Sequence, residues 1–153
     1  MERSLIIIKP DAVCKGRIGE VIGRIEKKGF IIRALKIVRL TKKKAEEFYG
    51  IYRGMPFFKG LVKFMISAPS VMMVVEGRGV IKKMREMIGA RVPSEAKKRT
   101  IRGDLASDDR RNIIHGSDSR KNAAREIKIF FKPNEIYKYD KKDWLNSEPD
   151  RNS

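Results

Sequence analysis

The order of elements legible in this sequence predicts an α+β fold, an α/β sandwich in which helices cover a four-stranded antiparallel sheet on the split βαββαβ plan. Three observations carry that reading. Short apolar runs at 5–9, 30–40, 70–76 and 113–115 have the length and composition of strands. Apolar residues recur at helical spacing between the first and second runs and again between the third and fourth. The helical segment between the second and third runs is an insert, and removing it leaves the βαββαβ order.

Each element has its own warrant in the chain. Leu5 to Lys9 is a buried strand stopped by Pro10. Ile18, Val21, Ile22 and Ile25 mark a helix that ends at Gly29, a residue suited to the position after a helix end. Phe30 to Leu40 is rich in Ile, Val and Leu and interrupted by Arg33, Lys36 and Arg39, which predicts a long strand with one solvated stretch. Thr41 is placed to cap a helix whose apolar face is Ala45, Phe48, Tyr49 and Tyr52, and a second helix begins near Pro56 with Phe58, Leu61, Val62, Met65 and Ile66. Ser70 to Glu76 is a Val/Met strand between Pro69 and Gly77, and Val80, Ile81, Met84, Met87 and Ile88 mark a helix that ends at Gly89. From Ala90 to Asn112 no periodicity is sustained, and a loop of that length in a compact domain predicts a functional segment. Ile113 to His115 is the last strand, Ser117 or Asp118 the cap of a final helix over Asn122 to Phe131. Residues 132–153 form an irregular C-terminal extension, frayed from Pro149 to Ser153.

The 153 residues, 41% of them apolar, suit one domain over 1–153. Cys14 is the only cysteine, so the chain makes no internal disulfide and suits a reducing, cytoplasmic setting. No apolar run approaches the ~20 residues of a membrane span, and Arg3, Lys9 and Asp11 crowd the first apolar stretch, which argues against membrane insertion or a secretory leader. Lys and Arg number 36 against 19 Asp and Glu, a net +17. The final 22 residues carry five of each sign, so the excess lies in the body of the chain. Such a field attracts polyanions, whether nucleic acid, acidic membrane surface or nucleotide, and charge alone does not choose among them.

Neither common glycine-rich phosphate loop is present, so any nucleotide would be held by side chains. Phosphoryl transfer needs guanidinium forks, an ammonium and a metal around the phosphates, and the chain has suitable groups. His115 is the sole histidine, in the run Asn112-Ile113-Ile114-His115-Gly116-Ser117-Asp118-Ser119. Imidazole titrates near neutrality and serves as nucleophile, proton carrier or metal ligand.

That octet resembles the active-site signature of nucleoside diphosphate kinases. The resemblance extends over nearly the whole chain through Ile8-Lys9-Pro10-Asp11, Met55-Pro56-Phe57-Phe58-Lys59-Gly60-Leu61-Val62, Arg85, Thr100-Ile101-Arg102-Gly103-Asp104 and Glu126, at matching intervals. It implies the ferredoxin-like fold and transfer of the γ-phosphate of ATP or another NTP to an NDP, by ping-pong kinetics through a pros-phosphohistidine at His115. It implies further roles residue by residue. Glu126 is the carboxylate that orients the ring and Ser117 the hydroxyl that supports it; Lys9 lies beside the phosphates and the ribose hydroxyl. Arg85 and Arg102 grip the β- and γ-phosphates. Tyr49, a core residue by periodicity, brings its hydroxyl near the transferred phosphate. Phe57 stacks on the base, and because every base has a π-face a loose base preference follows; Asn112 contacts the ribose and phosphate region. Mg²⁺ arrives with the phosphates, since no cluster of carboxylates at ligand spacing appears. A homohexamer or homotetramer built from a common dimer is implied as well.

The chain departs from the family's wording in its long loop. Arg91 stands where a phosphate-contacting Thr is common, Lys98-Arg99 replaces a frequent Pro-Gly pair, and Asp108-Asp109-Arg110-Arg111 replaces a largely apolar stretch. A basic nucleic-acid-binding protein on the same scaffold, with kinase activity secondary or lost, is the alternative that the charge suggests, and non-specific nucleic-acid binding could also accompany catalysis.

Overall fold

The computed structural model describes residues 1–108 and 111–146. Asp109 and Arg110 of the rewritten loop, and the end from 147 onward that was expected to fray, lie outside those bounds. Strand β1 (Glu2–Ile8) sits between β3 (Ser70–Gly77) and the short β4 (Ile114–Gly116), and β2 (Ile31–Val38) flanks β3. The sheet order is β2-β3-β1-β4, with every neighbouring pair antiparallel.

Side-chain alternation along β1 explains why two helical layers form. Ile6 and Ile8 point to one face, where they meet Val21 and Ile25 of α2 (Ile18–Lys27) and Val80, Met84 and Ile88 of α5 (Val80–Ile88). Leu5 and Ile7 point to the other, against α3 (Lys42–Phe48), α4 (Phe58–Met65) and α7 (Arg120–Phe130). Strands covered on both faces read as unbroken apolar runs, as β1 and β3 do. The helical insert is thus the cover of the second face.

At three places the sequence reading needs correction. Pro10 opens a five-residue helix, α1 (Pro10–Cys14), instead of only ending the strand; the fixed φ of proline suits a first helical position, and five residues are too few to show a period. The loop from Ala90 to Asn112 contains α6 (Ile101–Leu105), whose cap is Thr100, its hydroxyl accepting from the amide of Gly103 at 3.0 Å. The cap of α7 is Ser119, not Ser117 or Asp118, because Ser117 is already hydrogen-bonded in the sheet. The C-terminal extension is tied to the sheet edge: Tyr137 donates its amide to the Arg33 carbonyl at 2.8 Å, and the Arg33 guanidinium lies 5.1 Å from the centre of the Tyr139 ring. Among the described residues no helix is long and apolar enough to cross a membrane.

The turn into α6 leaves no room at residue 103. A Cβ there would lie 2.0 Å from the Lys97 carbonyl oxygen, whereas one at Gly23, inside α2, would meet nothing within 4 Å. Gly103→Ala should therefore lower stability by about 1–3 kcal/mol in urea unfolding, while Gly23→Ala should raise it by about 0.5–1 kcal/mol. Equal effects at the two positions would contradict this account of the loop.

Candidate active site

The site forms where three chain segments meet: the end of β1, the segment entering β4, and the loop carrying α6. Lys9 follows β1, and its amide donates to the Ile113 carbonyl at 2.8 Å. Ile113 itself has φ +76°, a conformation costly for a β-branched side chain. The Ile114 amide reaches back to the Asn112 carbonyl at 2.9 Å, closing a three-residue turn over it. Asp11 accepts from the Ile113 amide at 3.1 Å, and the Ile113 side chain is fully buried in the core, so hydrogen bonds and packing offset the strain. The turn redirects the chain so that His115, paired with Ile7 across the sheet, points to the face covered by α3 and α7.

There the ring of Phe48 packs edge-on to the imidazole, with centroids 5.0 Å apart and planes at 85°. Nε2 of His115 lies 3.1 Å from Oε1 of Glu126 on α7. The same oxygen accepts from the Ser117 hydroxyl at 2.7 Å, and Ser117 Oγ accepts from the Leu5 amide at 3.0 Å. Because one lone pair of that hydroxyl is taken by a main-chain donor, its proton is directed to the carboxylate. Glu126, acceptor-only when ionised, holds the imidazole proton on Nε2 and leaves the Nδ1 lone pair free. Ser117 is fully buried behind Glu126 and does not face the cavity.

Beside His115 opens a cavity of about 530 Å³. Lys9, Tyr49, Phe57, Arg85, Arg102, Asn112 and Glu126 all line it, so the fold gathers the other predicted site residues around one space. Tyr52, Arg91, Asp118 and Arg125 line it too. Tyr52 lies 5.3 Å centroid to centroid from Phe57 and 6.3 Å from Tyr49, forming an aromatic wall. The bond of Asp11 to the Ile113 amide and the turn there have no sequence signal, since no local pattern announces a positive φ at isoleucine.

The electrostatics are those of a site suited to an anion. Arg102 spends three N–H groups on the carbonyls of Ile114, Asn112 and Gly89, at 2.8, 3.3 and 3.4 Å, and makes no ion pair with a described residue. Burial, then the neighbouring Arg85 and Arg91, lower its pKa to about 10, so it stays charged. Lys9, 7% exposed and bonded to Asn112 Oδ1 at 2.8 Å, is lowered to about 7, first by burial and then by Arg102. The Tyr49 hydroxyl is buried with no partner among the described residues, and burial raises its pKa, so it remains a donor. Three or more metal-ligating side chains do not cluster anywhere among the described residues. Asp118 is the second carboxylate of the wall, beside Glu126. Its amide partner is Asn122, 2.6 Å away, which keeps the Asp118 carboxyl below the usual range.

Comparison with known proteins gives a consistent result. The nucleoside diphosphate kinase family model matches residues 2–136. A nucleoside diphosphate kinase of Campylobacter jejuni subsp. doylei is 54% identical over 137 residues, covering 90% of this chain and all of the relative. The solved Aquifex aeolicus nucleoside diphosphate kinase superposes with a TM-score of 0.86 at 46% identity, over 89% of this chain and 99% of its own. The Halobacterium salinarum enzyme, solved in complex with CDP, superposes with a TM-score of 0.89 at 37% identity, over 96% of this chain and 99% of its own.

Lys9 gives a test of the cavity. With a pKa of about 7 it is largely neutral at pH 8. An anion beside it favours the charged form, so binding of a nucleoside diphosphate at pH 8 should take up close to one proton, declining toward pH 6 where the free ammonium is already charged. Calorimetry in buffers of different ionisation enthalpy reads this uptake directly. Lys9→Gln should abolish it; uptake undiminished in that variant would place the titrating group elsewhere.

Proposed function

The chain belongs to the nucleoside diphosphate kinase family, a family of phosphotransferases, and from that premise we propose that it moves the γ-phosphate of ATP or another NTP to an NDP in two transfers through His115. In the first, the Nδ1 lone pair attacks the γ-phosphorus. The Nδ1–P bond forms, the bond from that phosphorus to the β,γ-bridging oxygen breaks, and the electron pair leaves with the NDP. The imidazolium charge that develops is held against Glu126. In the second, the terminal oxygen of another NDP attacks the phosphohistidine and the ring leaves with its lone pair. One site serves donor and acceptor in turn, which gives ping-pong kinetics.

The observation that carries this reading is the chain of hydrogen bonds from the Leu5 amide through Ser117 and Glu126 to Nε2 of His115. It leaves Nδ1 as the nucleophile, in a cavity whose wall carries five cations. Lys9 and the unpartnered Tyr49 hydroxyl serve the transferred phosphoryl group, Arg85 and Arg102 the β- and γ-phosphates, Asn112 the ribose, and Phe57 the base. Mg²⁺ is the ion we assign to the site; bound with the phosphates it would supply neutralising charge. The CDP bound by the Halobacterium relative supports a nucleoside diphosphate as ligand here.

We assign the chain to a single domain over 1–153, with 132–153 as an extension, and place it in the cytoplasm as a homo-oligomer. Leu35 and Ile37, 53% and 65% exposed on the edge strand β2, support assembly through that edge.

Incubation with γ-labelled ATP should put an acid-labile, alkali-stable label on the protein. His115→Ala should remove it completely, because no second histidine exists to carry it; a persisting label would refute the assignment. Glu126→Gln should slow the transfer by roughly ten- to a hundredfold, as the loss of a charge-assisted hydrogen bond implies. Ser117→Ala should cost about tenfold or less, since it acts through Glu126.

A further inference from the structure

Two parts of the site, the Lys9 ammonium and the turn that delivers His115, meet at a residue outside the cavity wall. Asp11 lies in the first turn of α1, is 8% exposed and does not line the cavity. Its Oδ2 accepts from the Ile113 amide at 3.1 Å, while Oδ1 is buried with no hydrogen-bond partner among the described residues. Holding an amide needs only one neutral oxygen. Enclosing a full charge on a single hydrogen bond costs far more, which the turn alone does not explain. Lys9 accounts for the difference. Two residues before Asp11, it is as deeply buried, and of the charges acting on it Arg102 and Arg91 oppose the ammonium while Asp11 favours it. The cavity's other ionisable groups are Arg85, His115, Asp118, Arg125 and Glu126, with the phenols of Tyr49 and Tyr52, and Glu126 is taken by His115 and Ser117.

We propose that Asp11 is a positioning residue for phosphoryl transfer: one oxygen fixes the turn that presents His115, and the negative charge is the counter-charge of the Lys9 ammonium. The inference rests on the nucleotide-transfer reading of the cavity. The turn is the shared part. Its carbonyls at Asn112 and Ile114 hold Arg102, the Asn112 side chain accepts from Lys9 Nζ at 2.8 Å, and the next residue is the nucleophile. Ile113 holds its φ of +76° between them, so freeing its amide lets a strained residue relax and shifts Lys9, Arg102 and His115 relative to one another. Standing behind the wall, Asp11 acts through these residues without taking a place beside the phosphates.

Asp11→Asn and Asp11→Ala separate the two roles, because the asparagine oxygen still accepts from Ile113 whereas alanine offers neither oxygen nor charge. The first measurement is the proton uptake on nucleoside diphosphate binding, read by calorimetry. Losing the attraction lowers the pKa of the free Lys9 from about 7, so the midpoint of the uptake should fall by about half a unit or more in Asp11→Asn. At pH 7 the uptake should rise from about half a proton toward one. A purely structural anchor would leave that midpoint in place. The second measurement is the rate of His115 labelling by saturating γ-labelled ATP. Asp11→Ala should cut it by roughly ten- to a hundredfold as the turn relaxes, and Asp11→Asn should recover most of that loss. A midpoint unmoved in Asp11→Asn, or labelling in Asp11→Ala as fast as in the wild type, would overturn the proposal. Label absent from the wild type would instead refute the catalytic reading, while the midpoint, a binding measurement, reports on Asp11 alone.

Discussion

A hydrogen bond of 3.1 Å between Nε2 of His115 and Glu126 is the constraint on which the rest of the site depends. Neutral imidazole has one N–H and one lone pair, and placing the proton on one nitrogen commits the other to chemistry. A carboxylate at that distance from an otherwise mobile ring would fix little. Here it is buried, and its oxygen also receives the hydroxyl of Ser117, which in turn is held by the amide of Leu5 in the central strand. The orientation of the ring is therefore referred to the backbone of β1, an interior strand of the sheet. Disturbing the pairing of β1 with β4 would move ring, carboxylate and hydroxyl together.

The cations impose the second constraint. Bringing guanidinium groups and an ammonium together without matching carboxylates is unfavourable; burial first, and then the neighbouring Arg102, lower Lys9 to about 7, which relieves part of that cost. Arg102 is held by three carbonyl oxygens, which satisfy donors without cancelling charge. Two of those carbonyls, from Asn112 and Ile114, flank the strained turn at Ile113. The same residue thus fixes the loop and keeps the cavity positive. Anion binding would relieve the repulsion, so part of the ligand's affinity is prepared in the folded chain before the ligand arrives.

Much of this was legible in the sequence, for reasons that differ by element. β1 and β3 are covered on both faces and read as continuous apolar runs; α2 and α5 carry a clear helical stripe. α1 and α6 were not legible, being five residues each, shorter than any period needs. Within the site, the motif around His115 points to phosphoryl transfer, but sequence spacing alone does not bring Glu126 to the ring. Its position could have been read more sharply, because Ala123, Glu126 and Phe130 fall on one stripe of α7 and all three are buried. A carboxylate on an apolar stripe requires a partner, and His115 and Ser117 are the partners. The positive φ of Ile113 had no such signal, because it is imposed by Asp11, Lys9 and the core, all distant in sequence from the turn.

The net charge of +17 admitted a competing account, a scaffold that binds nucleic acid through its surface. The placement of the cations decides against making it the main function. A protein that tracks a nucleic-acid backbone needs its cations on an exposed groove or stripe, where they reach phosphates without entering the fold. Lys9 is 7% exposed, and the Arg102 guanidinium is tied to interior carbonyls. Neither reaches a duplex lying on the surface. Both reach a phosphate chain that enters a cavity of about 530 Å³ and ends beside a histidine whose free nitrogen has been chosen in advance. General surface charge concentrates polyanions near the protein, while the enclosed cations select those slender enough to come in.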